Sequence, residues 1–230
     1  MINIAGMQKL TVQDYPNHLA ALIFTQGCNL NCPYCQNSEL IKFTKQSTLS
    51  EEEVFSYLEK RRKVLDGVAI TGGEPLLQKD IFSFISRIKD LGLKVKLDTN
   101  GTMPEVLEKL ISANLIDYVA LDIKNDFANY ESASGVKKIN TDNIKKTISI
   151  LKSSDVDHEY RTTIMKEFHN VDNIKKIVEY IEPDQKYFLQ NFEKSEFVIN
   201  KNLTPFSKEE LILLEKELRK AFPNVKVRGI

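Results

Sequence analysis

Three cysteines lie within eight residues, Cys28-x3-Cys32-x2-Cys35, and the 230-residue chain has no others. An odd, clustered set of thiols points to metal binding or reactivity rather than to disulfides. Structural zinc takes four ligands, often as two Cys-x2-Cys knuckles, and the only candidates for a fourth are His18, His158 and His169, none at finger-like spacing. A nucleophilic thiol needs one activated cysteine beside a base, not three in a row. Three unrelated core cysteines would be scattered rather than share a loop containing Pro33 and Asn31. An iron–sulfur cube is held by thiolates in one tight loop. With three protein ligands one iron keeps an open coordination position, the device of catalytic metal sites.

The elements that must carry this loop alternate along the chain. Apolar, β-branched runs occupy Leu19–Phe24, Gly67–Ile70, Lys94–Leu97, Tyr118–Ile123, His158–Met165 and Lys186–Leu189. Amphipathic segments lie between and after them, at Ser50–Lys63, Gln78–Leu91, Pro104–Ala113, Thr141–Lys152, Val171–Ile181 and Lys208–Phe222. Ser50 before three glutamates, Pro104 at a first helical position, and Asn170 or Asp172 supply helix starts. Strand–helix alternation repeated six times predicts an α/β fold of right-handed βαβ units on a parallel sheet. Six units are too few for a closed eight-fold barrel, so an open partial barrel and a doubly wound sheet both fit. No composition break divides residues 1–230, read as one domain. Residues 1–18 are expected to form an edge hairpin or lid, 19–192 the barrel core, and 193–230 a C-terminal helix with a short strand at Val225–Val227.

In such sheets functional groups collect at the carboxyl ends of the strands. Those ends read Thr25-Gln26-Gly27-Cys28, Thr71-Gly72-Gly73-Glu74-Pro75 and Asp98-Thr99-Asn100-Gly101, followed by Asp122 and Lys124, Arg161, and Gln190 with Asn191. Charge is balanced, 32 basic against 32 acidic side chains, which gives no net field for nucleic acid or an anionic membrane. No basic-then-apolar leader and no long apolar stretch is present, so a cytoplasmic setting with reduced thiols is expected.

The cysteine spacing, with Tyr34 before the last thiol, resembles the signature of the radical S-adenosylmethionine (SAM) superfamily. The resemblance implies a partial (β/α)6 barrel and a 4Fe–4S cluster on Cys28, Cys32 and Cys35. It further implies reductive cleavage of SAM to a 5′-deoxyadenosyl radical that abstracts hydrogen. Gly72-Gly73-Glu74-Pro75 looks like the family segment that holds the methionine amino group. Leu97-Asp98-Thr99-Asn100-Gly101 and Leu121-Asp122-Ile123-Lys124 look like strand-end motifs of glycyl-radical-enzyme activating enzymes. By that similarity Asp98, Thr99 and Asp122 would form a small monovalent-cation site beside the SAM carboxylate. Asn100 and Lys124 would approach the ribose and methionine, Arg161 the methionine carboxylate, and Tyr34 the adenine.

Thr11-Val12-Gln13-Asp14-Tyr15-Pro16, Phe24-Thr25-Gln26-Gly27-Cys28 and Cys35-Gln36-Asn37-Ser38-Glu39-Leu40-Ile41 resemble the short activating proteins of anaerobic ribonucleoside-triphosphate reductase. The implied partners are that glycyl-radical enzyme and a flavodoxin- or ferredoxin-type electron donor, with no membrane and no nucleic acid. One departure stands out. Where the best-known activases carry a histidine near SAM, this chain reads Leu189-Gln190-Asn191-Phe192-Glu193, which leaves Gln190 or Asn191 as the substitute. With every cysteine used once, no auxiliary cluster is expected. His158 and His169 read as structural. The competing expectations are a small radical SAM enzyme acting on a small molecule or nucleotide, such as a deazapurine precursor, and a non-catalytic zinc module.

Overall fold

A computed structural model of the protein describes residues 1–43 and 48–228. Eight strands form one sheet in the order β1 to β8, each hydrogen-bonded to its neighbour in sequence, and β8 does not pair with β1. The sheet is therefore curled but open. The six expected strands are β2 (Ala20–Thr25), β3 (Gly67–Gly72), β4 (Lys94–Thr99), β5 (Tyr118–Asp122), β6 (Asp157–Ile164) and β7 (Tyr187–Asn191), all mutually parallel. This is the α/β partial barrel that the family resemblance implied, one of the two arrangements the alternation allowed.

Two strands frame that set. β1 (Ile4–Thr11) runs antiparallel to β2 and closes one edge, the edge-hairpin alternative for residues 1–18. β8 (Val225–Arg228) adds in parallel to β7 at the other edge. The helices are α1 (Glu51–Arg61), α2 (Ile81–Asp90), α3 (Pro104–Ser112), α4 (Tyr130–Ser134), α5 (Thr141–Ser153), α6 (Val171–Ile181) and α7 (Lys208–Leu218). Ser50 caps α1 in a reciprocal capping box with Glu53, and Asn170 rather than Asp172 does the same for α6 with Asn173. α2 starts three residues later than its apolar pattern, because Pro75–Leu77 form a separate 3-10 turn capped by Glu74. α4, only five residues long, has no periodic signal of its own.

Strand alternation decides what faces where. Val68, Ile70, Val95, Leu97, Val119 and Leu121 pack outward with Phe84, Ile85, Leu107 and Ile148 of the helices in the main core. The opposite face carries Lys96 and Asp98 on β4, Asp122 on β5, and Glu159 and Arg161 on β6. A curled sheet thus turns its polar positions into a lumen.

Candidate active site

The cysteine loop leaves β2 and is laced to the next strand end by backbone. Gly73 N–H donates to Thr25 O and Glu74 N–H to Gly27 O, both at 2.8 Å. A Cβ at Gly73 would lie 2.1 Å from the Gly27 carbonyl oxygen, and one at Gly72 (φ +112°) 2.4 Å from Thr25 O. The two glycines are required where one strand end packs against the other. The far side of the loop rests on α4: Asn31 N–H donates to Ser134 O at 2.9 Å. A Cβ at Gly135 would meet Asn31 O at 2.0 Å. Residues after β7 hold the loop from a third side, with Asn200 N–H donating to Pro33 O at 2.8 Å and the Ser38 hydroxyl to Phe197 O. Beneath it Leu30, Cys32 and Tyr34 share a small core with Ala133, Met165, Phe192, Val198 and Leu203.

These contacts shape a cavity of about 230 Å³ at the carboxyl ends of the strands. Cys28, Cys32, Cys35, Tyr34, Gly72, Gly73, Asp98, Thr99, Asn100, Asp122, Lys124, Arg161 and Gln190 all line it. Glu74 does not. Fully buried, its carboxylate accepts from Asn100 N (2.7 Å), Thr99 Oγ1 (2.8 Å) and Leu76 N (3.1 Å). It is the knot between the ends of β3 and β4, and burial pushes its carboxyl up to about 7. Gln190 lines the cavity, whereas the Asn191 side chain turns to Phe206, accepting from its N–H and donating to its carbonyl.

Asn100 is oriented by its neighbours: Thr102 N and Oγ1 donate to its Oδ1, and its Nδ2 donates to Asn29 Oδ1 at 3.0 Å and faces Cys28 Sγ at 3.9 Å. Arg161 spans two carboxylates, with Nε 2.8 Å from Asp122 Oδ1 and its terminal nitrogens 3.2 Å and 3.3 Å from Asp98 Oδ2. Lys124 Nζ lies 3.3 Å from Asp122 Oδ2. Burial alone would raise both aspartates, but Arg161 with Lys96 or Lys124 outweighs it and holds them below the ordinary carboxylate range.

The three thiols open on one cavity and are the donor type that iron–sulfur clusters take. Burial pushes all three up, Cys32 to about 12, and a bound cationic centre would displace their protons. Leu30 N–H donates to Cys28 Sγ at 3.4 Å, and Asn37 N–H to Cys35, the hydrogen bonding that cluster sulfurs receive. The buried Tyr34 hydroxyl has no hydrogen-bond partner among the described residues, a donor left over beside the cavity.

Several contributors carried no assigned role. Thr71, Gln36, Asn37 and Ile41, which lie within the motif segments, and Thr163, which lies in none, also line the cavity. His169, read as structural, bridges the ends of β5 and β6. Its Nδ1 accepts from Met165 N (3.3 Å), which leaves Nε2–H to donate to Lys124 O (3.0 Å). Burial lowers it to about 4. Lys96 is the most informative omission, because a charge at a lumen-facing position two residues before Asp98 was readable from strand alternation.

The profile of the radical SAM superfamily matches residues 22–181. The chain belongs to the radical SAM superfamily. Membership implies a 4Fe–4S cluster and SAM binding. A Methanocaldococcus jannaschii protein, provisionally named a glycyl-radical enzyme activating enzyme, is 36% identical over 233 aligned positions, 99% of this chain and 96% of that one. A pyruvate formate-lyase-activating enzyme of Listeria monocytogenes is 34% identical over 113 residues, covering 45% and 46% of the two chains. Streptococcus suis SuiB bound to S-adenosylmethionine shares the fold, with a TM-score of 0.72 at 16% identity over 89% of this chain and 48% of that one. No helix among the described residues is long and apolar enough to cross a membrane.

Proposed function

We propose that the protein is a radical SAM activase that generates a glycyl radical in a partner enzyme. The observation that carries this reading is the full-length similarity to the M. jannaschii protein, which extends through the strand ends and the C-terminal helix. In this reading Cys28, Cys32 and Cys35 hold the 4Fe–4S cluster. The bound cluster and SAM supply the radical chemistry, an electron into the sulfonium and a carbon radical that removes hydrogen from a backbone glycine. The chain's own residues bind and orient. Gly72 and Gly73 present backbone to the methionine amino group, and Arg161 with Lys124 faces its carboxylate. Thr99, Asn100 and Gln190 complete the wall around the nucleoside, and Tyr34 meets the adenine. Glu74 acts one step removed, holding the Thr99–Asn100 backbone in place.

The opening and post-cysteine segments support anaerobic ribonucleoside-triphosphate reductase as the partner, with a flavodoxin- or ferredoxin-type donor. A barrel whose edge strands do not pair leaves a side through which a partner's loop can enter. The test is anaerobic mixing of reconstituted protein, SAM, reductant and purified reductase, read by EPR. A glycyl doublet that disappears when the reductase glycine is replaced by alanine supports the assignment. Intact SAM cleavage with no glycyl signal on the reductase overturns it.

A further inference from the structure

Lys96 sits in the lumen at 2% exposure, among the most buried charged side chains of the protein. It shares a β4 face with Asp98, and its ammonium is paired with Asp98 Oδ1. The other Asp98 oxygen is held by Arg161 NH1 and NH2. Arg161 Nε takes Asp122 Oδ1, and Lys124 Nζ takes Asp122 Oδ2. All four carboxylate oxygens of the expected cation site are therefore committed to protein cations. Three cations face two carboxylates, an excess of one positive charge.

A monovalent ion does not fit there. Its carboxylate ligands would have to be the oxygens that already hold Lys96, Arg161 and Lys124, with only the neutral Thr99 hydroxyl besides, which already donates to Glu74, and it would enter beside three like charges. Displacing Lys96 would leave a buried ammonium without a partner, which costs more than the new contact returns. The excess charge is what a carboxylate needs on arrival. We infer that Lys96 is a built-in cation: it takes the place of the monovalent ion implied by the sequence resemblance, so this protein binds the amino-acid end of SAM without sodium or potassium. Lys96 is a positioning residue in this scheme. It neutralises Asp98 from below, which leaves the Arg161 and Lys124 charge available above.

The inference rests on the SAM site proposed above and not on the identity of the partner enzyme. Its test is SAM affinity of the reconstituted holoprotein, read from the change in the reduced cluster's EPR signal as SAM is added. Tetramethylammonium, sodium and potassium chlorides are compared at equal ionic strength. The wild type should bind equally in all three. Lys96→Met should weaken binding in tetramethylammonium by about tenfold or more, the loss of one charge-assisted contact, and recover on adding sodium or potassium. Rescue by an ion is a response that a merely structural lysine would not give. Wild-type affinity that rises with sodium or potassium overturns the inference, and this arm decides even if the variant does not fold. So does a Lys96→Met protein that binds as tightly as wild type without either ion. Failure of the wild type to bind SAM in any salt removes the SAM-site reading as well, whereas SAM binding without a glycyl radical removes only the activase.

Discussion

Gly73 lies against the carbonyl of Gly27, so close that a methyl group on it would stand 2.1 Å from that oxygen. The contact joins the strand end that carries Glu74 to the residue that precedes Cys28, and the neighbouring Glu74 N–H to Gly27 O bond closes the same seam.

Gly73→Ala should therefore injure the cysteine loop more than the sheet. The added carbon meets backbone, which has no rotamer to escape into, and overpacking of this kind costs about 1–3 kcal/mol. Expected is a melting temperature lower by several degrees, with iron and sulfide incorporation reduced further than that shift alone explains. Gly135→Ala attacks the loop from its other side, through Asn31 O at 2.0 Å and a left-handed φ of +68°. It should give the same pattern. Iron content and thermal melts on both variants check this, and normal cluster loading in both would mean that the loop is held some other way.

The three thiols should differ in the cluster-free protein. Burial raises all of them, but Cys32 is the most enclosed, at 7% exposure and with its thiol pushed up to about 12. Alkylation by iodoacetamide needs a thiolate within reach. At pH 8 Cys28 and Cys35 should be modified before Cys32, and raising the pH should speed all three. Mass spectrometry of peptides after timed quenching measures the order. Cluster loading should abolish the reaction at every position, and Cys32 reacting first would contradict the burial described above.

Much of this was legible in the sequence because strand alternation and strand ends are local patterns. Lys94–Thr99 announces both faces at once, with Val95 and Leu97 outward and Lys96 and Asp98 inward. The cysteine loop and the Gly-Gly-Glu-Pro segment sit at strand ends, where their types and spacing already restrict the chemistry. Contacts that join distant segments were not legible. Nothing near Gly135 says that it will meet Asn31, and nothing near Asn200 says that it will bond Pro33. Glu74 was expected to meet the ligand because a carboxylate in a glycine loop can do so. Its three backbone and hydroxyl donors come from two segments that only the folded sheet brings together.

Glu74 and His169 should pull the pH dependence of stability in opposite directions. Burial raises the Glu74 carboxyl from its ordinary 4.5 to about 7, so the native state holds a proton that the unfolded chain releases between those values. Its contribution is complete below 4.5 and is lost as pH rises through 7. Burial lowers His169 from 6.5 to about 4, so there the unfolded chain binds the extra proton. That contribution is complete above 6.5 and is lost as pH falls through 4. Between pH 4.5 and 6.5 the two slopes oppose each other and nearly cancel. Urea unfolding of the cluster-free protein in the upper part of this window, above the range where the glutamates held low by their partners titrate, should give an almost flat profile for the wild type. Glu74→Gln removes one slope and should leave stability rising with pH, on top of a uniform loss because an amide nitrogen cannot accept from all three donors. His169→Gln should leave stability falling with pH. Parallel profiles in all three proteins would show that neither group titrates where its burial places it.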